Sequence, residues 1–362
     1  MGEGHESEAA PPRPTLARFV AEIWEPKAKR RLAPKTRERD QIVYRKHIRP
    51  QLGDRPIASL DIEDLVVWQD ELEEAGVGDP TIAKAIGILS SIFGEAARRP
   101  RSTGVKGNPV ALLDKPKAKR RRRPRVWGPV VVERVRWELL SGSGRVGPNG
   151  ELAAHRDALL VSLMAMTGCR PGEALGLRWS DVGSRIAIVR RLSGKEMIRG
   201  TKGGPDRRVP VLAPLRSDLA ALRDLSGDAP GDFLFRTRVG RHWVETDWRN
   251  YRSRHFVPAL RRVEASWDPW RRTLPGPSAV RATVAGLAAT RPYDLGRHTH
   301  SALMLASGMS LQRLARIQGH GIRVLDETYS EQLAEFEDRE DRIDPVEEIE
   351  AARQIVFGRG NE

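Results

Sequence analysis

Residues 167–182, TGCRPGEALGLRWSDV, decide how the second half of the chain is built. Gly168 makes a turn, Pro171 suits a first helical turn, and Glu173 falls three residues after Arg170 on the same helical face. Upstream, Leu159, Leu160, Leu163, Met164 and Met166 read as a buried helix. Downstream, the β-branched residues Ile186, Ile188 and Val189 suggest a strand, and Val209 and Val211 around Pro210 suggest another. The stretch between them, SGKEMIRGTKGGPDRR (193–208), is rich in glycine and charge and reads as a hairpin loop. Further helices are expected at about 215–224, 249–264, 299–307 and 310–317, whereas 267–292 carries no assignable pattern. Residues 127–345 therefore read as mainly α with a small antiparallel β-sheet, and 346–362 as a carboxy-terminal tail.

The first part is all helical. After a disordered lead (1–13), Leu16, Phe19, Val20, Ile23 and Trp24 form one stripe at helical spacing. A second helix runs from about Thr36 to Ile48 and ends near Pro50 and Gly53. Asp61 caps a third, which closes at Gly76, and Asp79-Pro80 starts a fourth. Residues 14–112 thus form a compact four-helix unit. The boundary after it is LDKPKAKRRRRPRV (113–126), in which Lys115, Lys117, Lys119, Arg120, Arg121, Arg122, Arg123 and Arg125 stand with two prolines and no acid after Asp114. Such a run cannot enter a core. It is a solvated linker or a strap across phosphates, and its position between two folded units favours the strap.

Charge narrows the partner. The 362 residues carry 62 Lys+Arg against 48 Asp+Glu, a net +14. Ten acids against two bases lie within 331–350, so the rest of the chain carries +22. That excess favours a polyanion, although a generally arginine-rich composition would also raise it. A single cysteine excludes an internal disulfide and a cysteine-built zinc site. No apolar run reaches the ~18 residues of a membrane span, and MGEGHESEAA lacks the apolar core of a secretory signal, so a cytoplasmic, nucleoid-associated protein is expected.

Four stretches supply cations and one phenol. They hold Arg170 with Glu173, Lys202 in a glycine-rich loop, Arg297 ahead of a helix, and His320 followed nine residues later by Tyr329. Each residue alone has an ordinary structural explanation. Together they make chemical sense, because guanidiniums and an imidazole can stabilise the charge of a phosphodiester in transfer without a metal. A phenol with a pKa of ~10 becomes a nucleophile when cations or a base offset that value, and a lysine can protonate a leaving 5′ oxygen. The dense acids lie in the tail rather than in a two-metal arrangement, and no GxxxxGK[ST] loop is present.

In order and spacing these residues resemble the tyrosine recombinase (phage integrase) family. The helical unit, including LGDRPIASLDIEDLVVWQDEL (52–72), is similar to the family's SAM-like core-binding domain, and residues from 127 onward to its catalytic domain. The resemblance implies Arg170 and Arg297 as catalytic arginines, Glu173 as their supporting acid, Lys202 as the hairpin lysine, His320 as the late histidine and Tyr329 as the nucleophile. It implies no cofactor and no metal, double-stranded DNA as substrate, a homo-tetramer on DNA, and an accessory excisionase as a further partner. The function implied is integration or excision of a mobile element through a 3′-phosphotyrosyl intermediate. One departure stands out: the family's His, two residues, then Arg is altered here. Strict spacing puts Asp294 in the histidine position, and an inserted Gly296 would put Tyr293 there instead. A catalytically weakened DNA-binding relative and a type IB topoisomerase-like strand transferase are the alternatives.

Overall fold

The computed structural model describes residues 13–116, 125–141, 147–201, 206–272, 284–337 and 342–358, and the chain divides into two compact units between Arg122 and Arg123. Of the basic run, Lys117, Lys119, Arg120, Arg121, Arg122 and Arg123 lie outside the described residues, as does Lys202. Lys115 is exposed.

The first unit is helical throughout. Thr15 accepts a hydrogen bond from the Arg18 amide and starts Leu16–Phe19, which continues through a π turn, Val20–Trp24, into Glu25–Arg31. The second helix, Pro34–Val43, passes through a π turn at Tyr44–Ile48 and on into Arg49–Leu52, beyond the proline expected to end it. The Arg49 amide donates five residues back to the Tyr44 carbonyl, so the register shifts just before Pro50, and the missing proline N–H costs little. Asp61 and Asp64 form a reciprocal cap at the start of Ile62–Glu74. The fourth helix, Asp79–Ala96, is capped by Gly78, which moves Asp79 and Pro80 into its first turn. Two short helices, Pro100–Thr103 and Pro109–Leu112, add to the four read from sequence. Leu16, Phe19, Ile48, Leu65, Trp68, Leu89 and Phe93 fill the core, where each large side chain contributes about 1.5–3 kcal/mol by leaving water. The buried Trp68 indole donates to the His47 carbonyl at 2.8 Å.

The second unit is built on Gly147–Thr167, buried without a break from Asp157 to Thr167. Arg185–Ile188 pairs antiparallel with Arg207–Pro210, Ile186 opposite Val209. The stretch expected to be one hairpin loop is in part a second antiparallel ribbon, Arg190–Ser193 with Glu196–Arg199, turning on Gly194 and Lys195. The region that carried no pattern is helical at its start, since Val257–Arg272 runs through the buried Trp267. The residues set apart as a tail also fold on this unit. Pro345–Phe357 buries Ile349, Ala352 and Val356, and Arg353 donates to Asp218 at 2.6 Å and to the Pro214 carbonyl at 2.9 Å. Arg125, assigned to the strap, donates to the Ala285 carbonyl and stands 4.9 Å from the Trp127 ring centroid. Among the described residues no helix is long and apolar enough to cross a membrane.

Candidate active site

The site begins where Leu311–Gln318 ends. The last carbonyls of a helix lack partners within it and form the negative end of its dipole. Here three consecutive carbonyls each take one arginine. Ile317 accepts from Arg207 Nε at 2.7 Å, Gln318 from Arg297 Nη2 at 2.6 Å, and Gly319 from Arg170 Nη2 at 3.1 Å. Gly319, at φ +61°, caps the helix.

A single buried carboxylate joins two of these cations. Glu173 Oε1 lies 3.0 Å from Arg170 Nη1, and the same carboxylate takes Arg207 through two bonds, at 3.2 and 2.5 Å. Its Oε2 also accepts from the Arg170 amide at 2.9 Å, closing the turn that Pro171 opens. Burial alone would raise the Glu173 pKa, but bonding and charge from Arg207, then Arg170, hold it below the usual carboxylate range.

Arg297 is the deepest of the three, 1% exposed. Besides Gln318 it donates to the Gly168 carbonyl at 2.5 Å, so the turn read first in the sequence becomes its second anchor. Burial, then the neighbouring Arg170, pulls its pKa to about 10, which leaves it charged at neutral pH. His320 is drawn to about 3 by burial and by Arg297, Arg170 and Arg207, so its imidazole is neutral. Its Nδ1 and the Arg297 Nε are buried without a hydrogen-bond partner among the described residues. Three guanidiniums against one carboxylate, with unsatisfied polar nitrogens, make a ready anion site.

Tyr329 lies on Ile322–Glu337 and is 2% exposed. Its hydroxyl is 2.5 Å from His298 Nδ1. Burial raises its pKa above the ordinary phenol value, while contact with Ser301 and the charge of Arg297 work in the other direction. Arg170, Glu173, Arg297 and His320 thus meet in one cluster, and the charge of Arg297 reaches the Tyr329 phenol.

The altered segment 293–298 has a clear geometry. Asp294–His298 is a π turn, which accommodates one residue more than an α turn would. Arg297 is seated between Gly168 and Gln318 despite Gly296. Asp294 turns to Arg291, at 2.7 and 2.9 Å, whereas the Tyr293 ring lies 5.8 Å from the Arg297 guanidinium and edge-on to His298. Tyr293, not Asp294, is the one facing the arginine. Gly296 is required by close packing, because a Cβ there would lie 2.3 Å from Met164 Cβ and 2.9 Å from its carbonyl carbon. Gly296→Ala should therefore destabilise the protein by about 1–3 kcal/mol in chemical denaturation. An unchanged midpoint would mean that this contact is slack.

Two participants escaped the sequence reading. Arg207 had a signal, since it shares an inward strand face with Val209, and a charged residue on such a face needs a buried partner. His298 had none beyond its adjacency to Arg297, because its meeting with Tyr329 depends on how two helices pack.

Comparisons with known proteins place the chain in a family. The sequence profile of the phage integrase family matches residues 148–329, ending on Tyr329, and that of the phage integrase N-terminal SAM-like domain matches 18–73. Tyrosine recombinase XerC of Rhodospirillum centenum is 27% identical over 287 residues, 79% of this chain and 71% of that protein. Tyrosine recombinase XerC of Mycobacterium bovis is 32% identical over 173 residues, 47% of this chain and 52% of its own length. Among solved structures, the Tn1549 transposon integrase in complex with transposon right end DNA aligns at a TM-score of 0.61 and 20% identity, over 90% of this chain and 98% of that one. A lambda integrase dimer bound to a COC′ core site aligns at 0.60 and 15%, over 91% and 99%. The chain belongs to the phage integrase family of tyrosine recombinases.

Proposed function

We propose that this chain is a site-specific DNA recombinase that cuts and rejoins strands through a 3′-phosphotyrosyl link at Tyr329. What carries the reading is the set of three arginines tied to the consecutive carbonyls 317–319, with a phenol on which the charge of one of them, Arg297, acts. Arg170 and Arg297 bind the non-bridging oxygens of the scissile phosphate, and His320 adds a neutral N–H donor. Glu173 and Arg207 keep Arg170 in one rotamer, so the cations need no reorganisation as charge develops. Tyr293 stands in the family's usual histidine position. Tyr329 attacks phosphorus, Lys202 protonates the departing 5′ oxygen, and the phosphotyrosine keeps the bond energy until a partner strand's 5′ hydroxyl displaces it. Neither ATP nor a metal enters any of these steps.

The solved Tn1549 transposon integrase and lambda integrase tetramer bound to a Holliday junction favour work on a mobile element and a tetramer on DNA. The test uses the full chain with nicked duplexes tiled across the DNA flanking its gene, in EDTA and without ATP. The expected product is a band on a denaturing gel heavier by the cleaved strand; no such band on any duplex would sink the reading.

The basic run gives a separate prediction. Log affinity falls with log salt by about 0.9 for each phosphate neutralised. Replacing Lys115, Lys117, Lys119, Arg120, Arg121, Arg122 and Arg123 by alanine should flatten that slope by several units in a binding titration. An unchanged slope would make the segment a spacer.

A further inference from the structure

The recombinase reading leaves one step without a residue: something must take the phenolic proton when Tyr329 attacks. The late His320 is backed by arginines, and no hydrogen bond joins it to the Tyr329 hydroxyl among the described contacts. The hydroxyl instead meets His298, whose Nδ1 is 2.5 Å from Oη. On the far side of the same ring, Nε2 faces Asp294 Oδ1 at 3.6 Å. Carboxylate, imidazole and hydroxyl thus stand in series, the arrangement by which a base is oriented toward a weak nucleophile. Asp294 and His298 are four residues apart, a spacing that puts both side chains on one face of the turn.

We propose that His298 is the general base for Tyr329, with Asp294 as its positioning residue. This rests on the recombinase reading above. The tautomer that suits both neighbours carries its proton on Nε2, toward Asp294, and offers the Nδ1 lone pair to the phenol. As the Tyr329 Oη–phosphorus bond forms, the Oη–H bond breaks and its proton passes to Nδ1. The phosphorus–O5′ bond breaks on the opposite side, and that oxygen takes its proton from Lys202. On religation the imidazolium returns the proton to the departing Tyr329 oxygen.

Burial holds the His298 pKa down to about 4; Asp294 opposes this, and Arg297 and Arg291 add to it. The ring is therefore unprotonated at neutral pH and free to accept. These three charges, with the phenols of Tyr293 and Tyr329, are the titratable groups in contact with it or acting on it. A bound phosphate brings a negative charge nearby, which favours the imidazolium as the proton arrives.

The test measures single-turnover cleavage on a nicked suicide duplex, with binding followed separately by gel shift. The wild-type chain must first form the adduct; if it forms none, the recombinase reading fails and not this step. His298→Gln keeps a side chain that can hydrogen-bond to Tyr329 but cannot carry a proton, and should cut the rate by about 10²-fold with DNA binding kept. Asp294→Asn should cut it less, by about tenfold. Added imidazole should restore part of the rate to His298→Ala, which a merely structural role would not allow. Cleavage by His298→Gln within threefold of wild type, or a His298→Ala defect that imidazole does not relieve, would overturn the proposal.

Discussion

A Tyr329→Phe variant should bind its DNA as tightly as the parent and form no covalent adduct. The substitution removes one oxygen and leaves the ring in the core it shares with Leu325 and Leu303. The lost bond to His298 costs about 1 kcal/mol, too little to unfold the unit. Binding is read from a gel shift and cleavage from a denaturing gel with nicked duplex. Adducts persisting in the variant would remove Tyr329 from the nucleophile's role.

The second large effect is on stability. Glu173 is 1% exposed and is the shared acceptor of Arg170 and Arg207. Glu173→Ala would strand the Arg207 guanidinium, whose side chain is only 7% exposed, without a carboxylate. Removing one partner of a buried pair costs about 3–5 kcal/mol. For a unit of this size that lowers the melting temperature by about 6–20 °C. Cleavage should fall with it, since Arg170 loses the bond that fixes its rotamer. Glu173→Gln keeps the shape and one acceptor and should lose less of both. A Glu173→Ala protein that melts with the parent would mean that the two arginines find other partners.

How much of this could be read beforehand depends on distance along the chain. The Arg170–Glu173 pair was legible because both residues sit in one turn, which Gly168 precedes and Pro171 opens. The mainly helical first unit was legible too, from apolar stripes and from a cap such as Asp61. The ribbon of Arg190–Ser193 with Glu196–Arg199 was hidden, because its charged and polar residues imitate a loop and only Gly194 marks its turn. The helix at Pro345–Phe357 was masked by its neighbours: seven acids lie within 331–344, just ahead of it, while its own Ile349, Ala352 and Val356 supply the stripe that docks it. Spacing arguments also assume 3.6 residues per turn. The π turn at Asp294–His298 breaks that assumption at the one place where the family pattern looked damaged. No local rule could bring His298 to Tyr329, 31 residues away, since tertiary packing alone decides that contact.

The central claim is that one particular phenol carries the DNA. The sequence has four tyrosines, Tyr44, Tyr251, Tyr293 and Tyr329, and two of them border the arginine cluster. Trapping the wild-type chain on a nicked duplex, digesting both components and sequencing the nucleotide-bearing peptide by mass spectrometry chooses among them. The account predicts the added mass on Tyr329 alone; the same mass on Tyr293, or on any residue other than Tyr329, would contradict it.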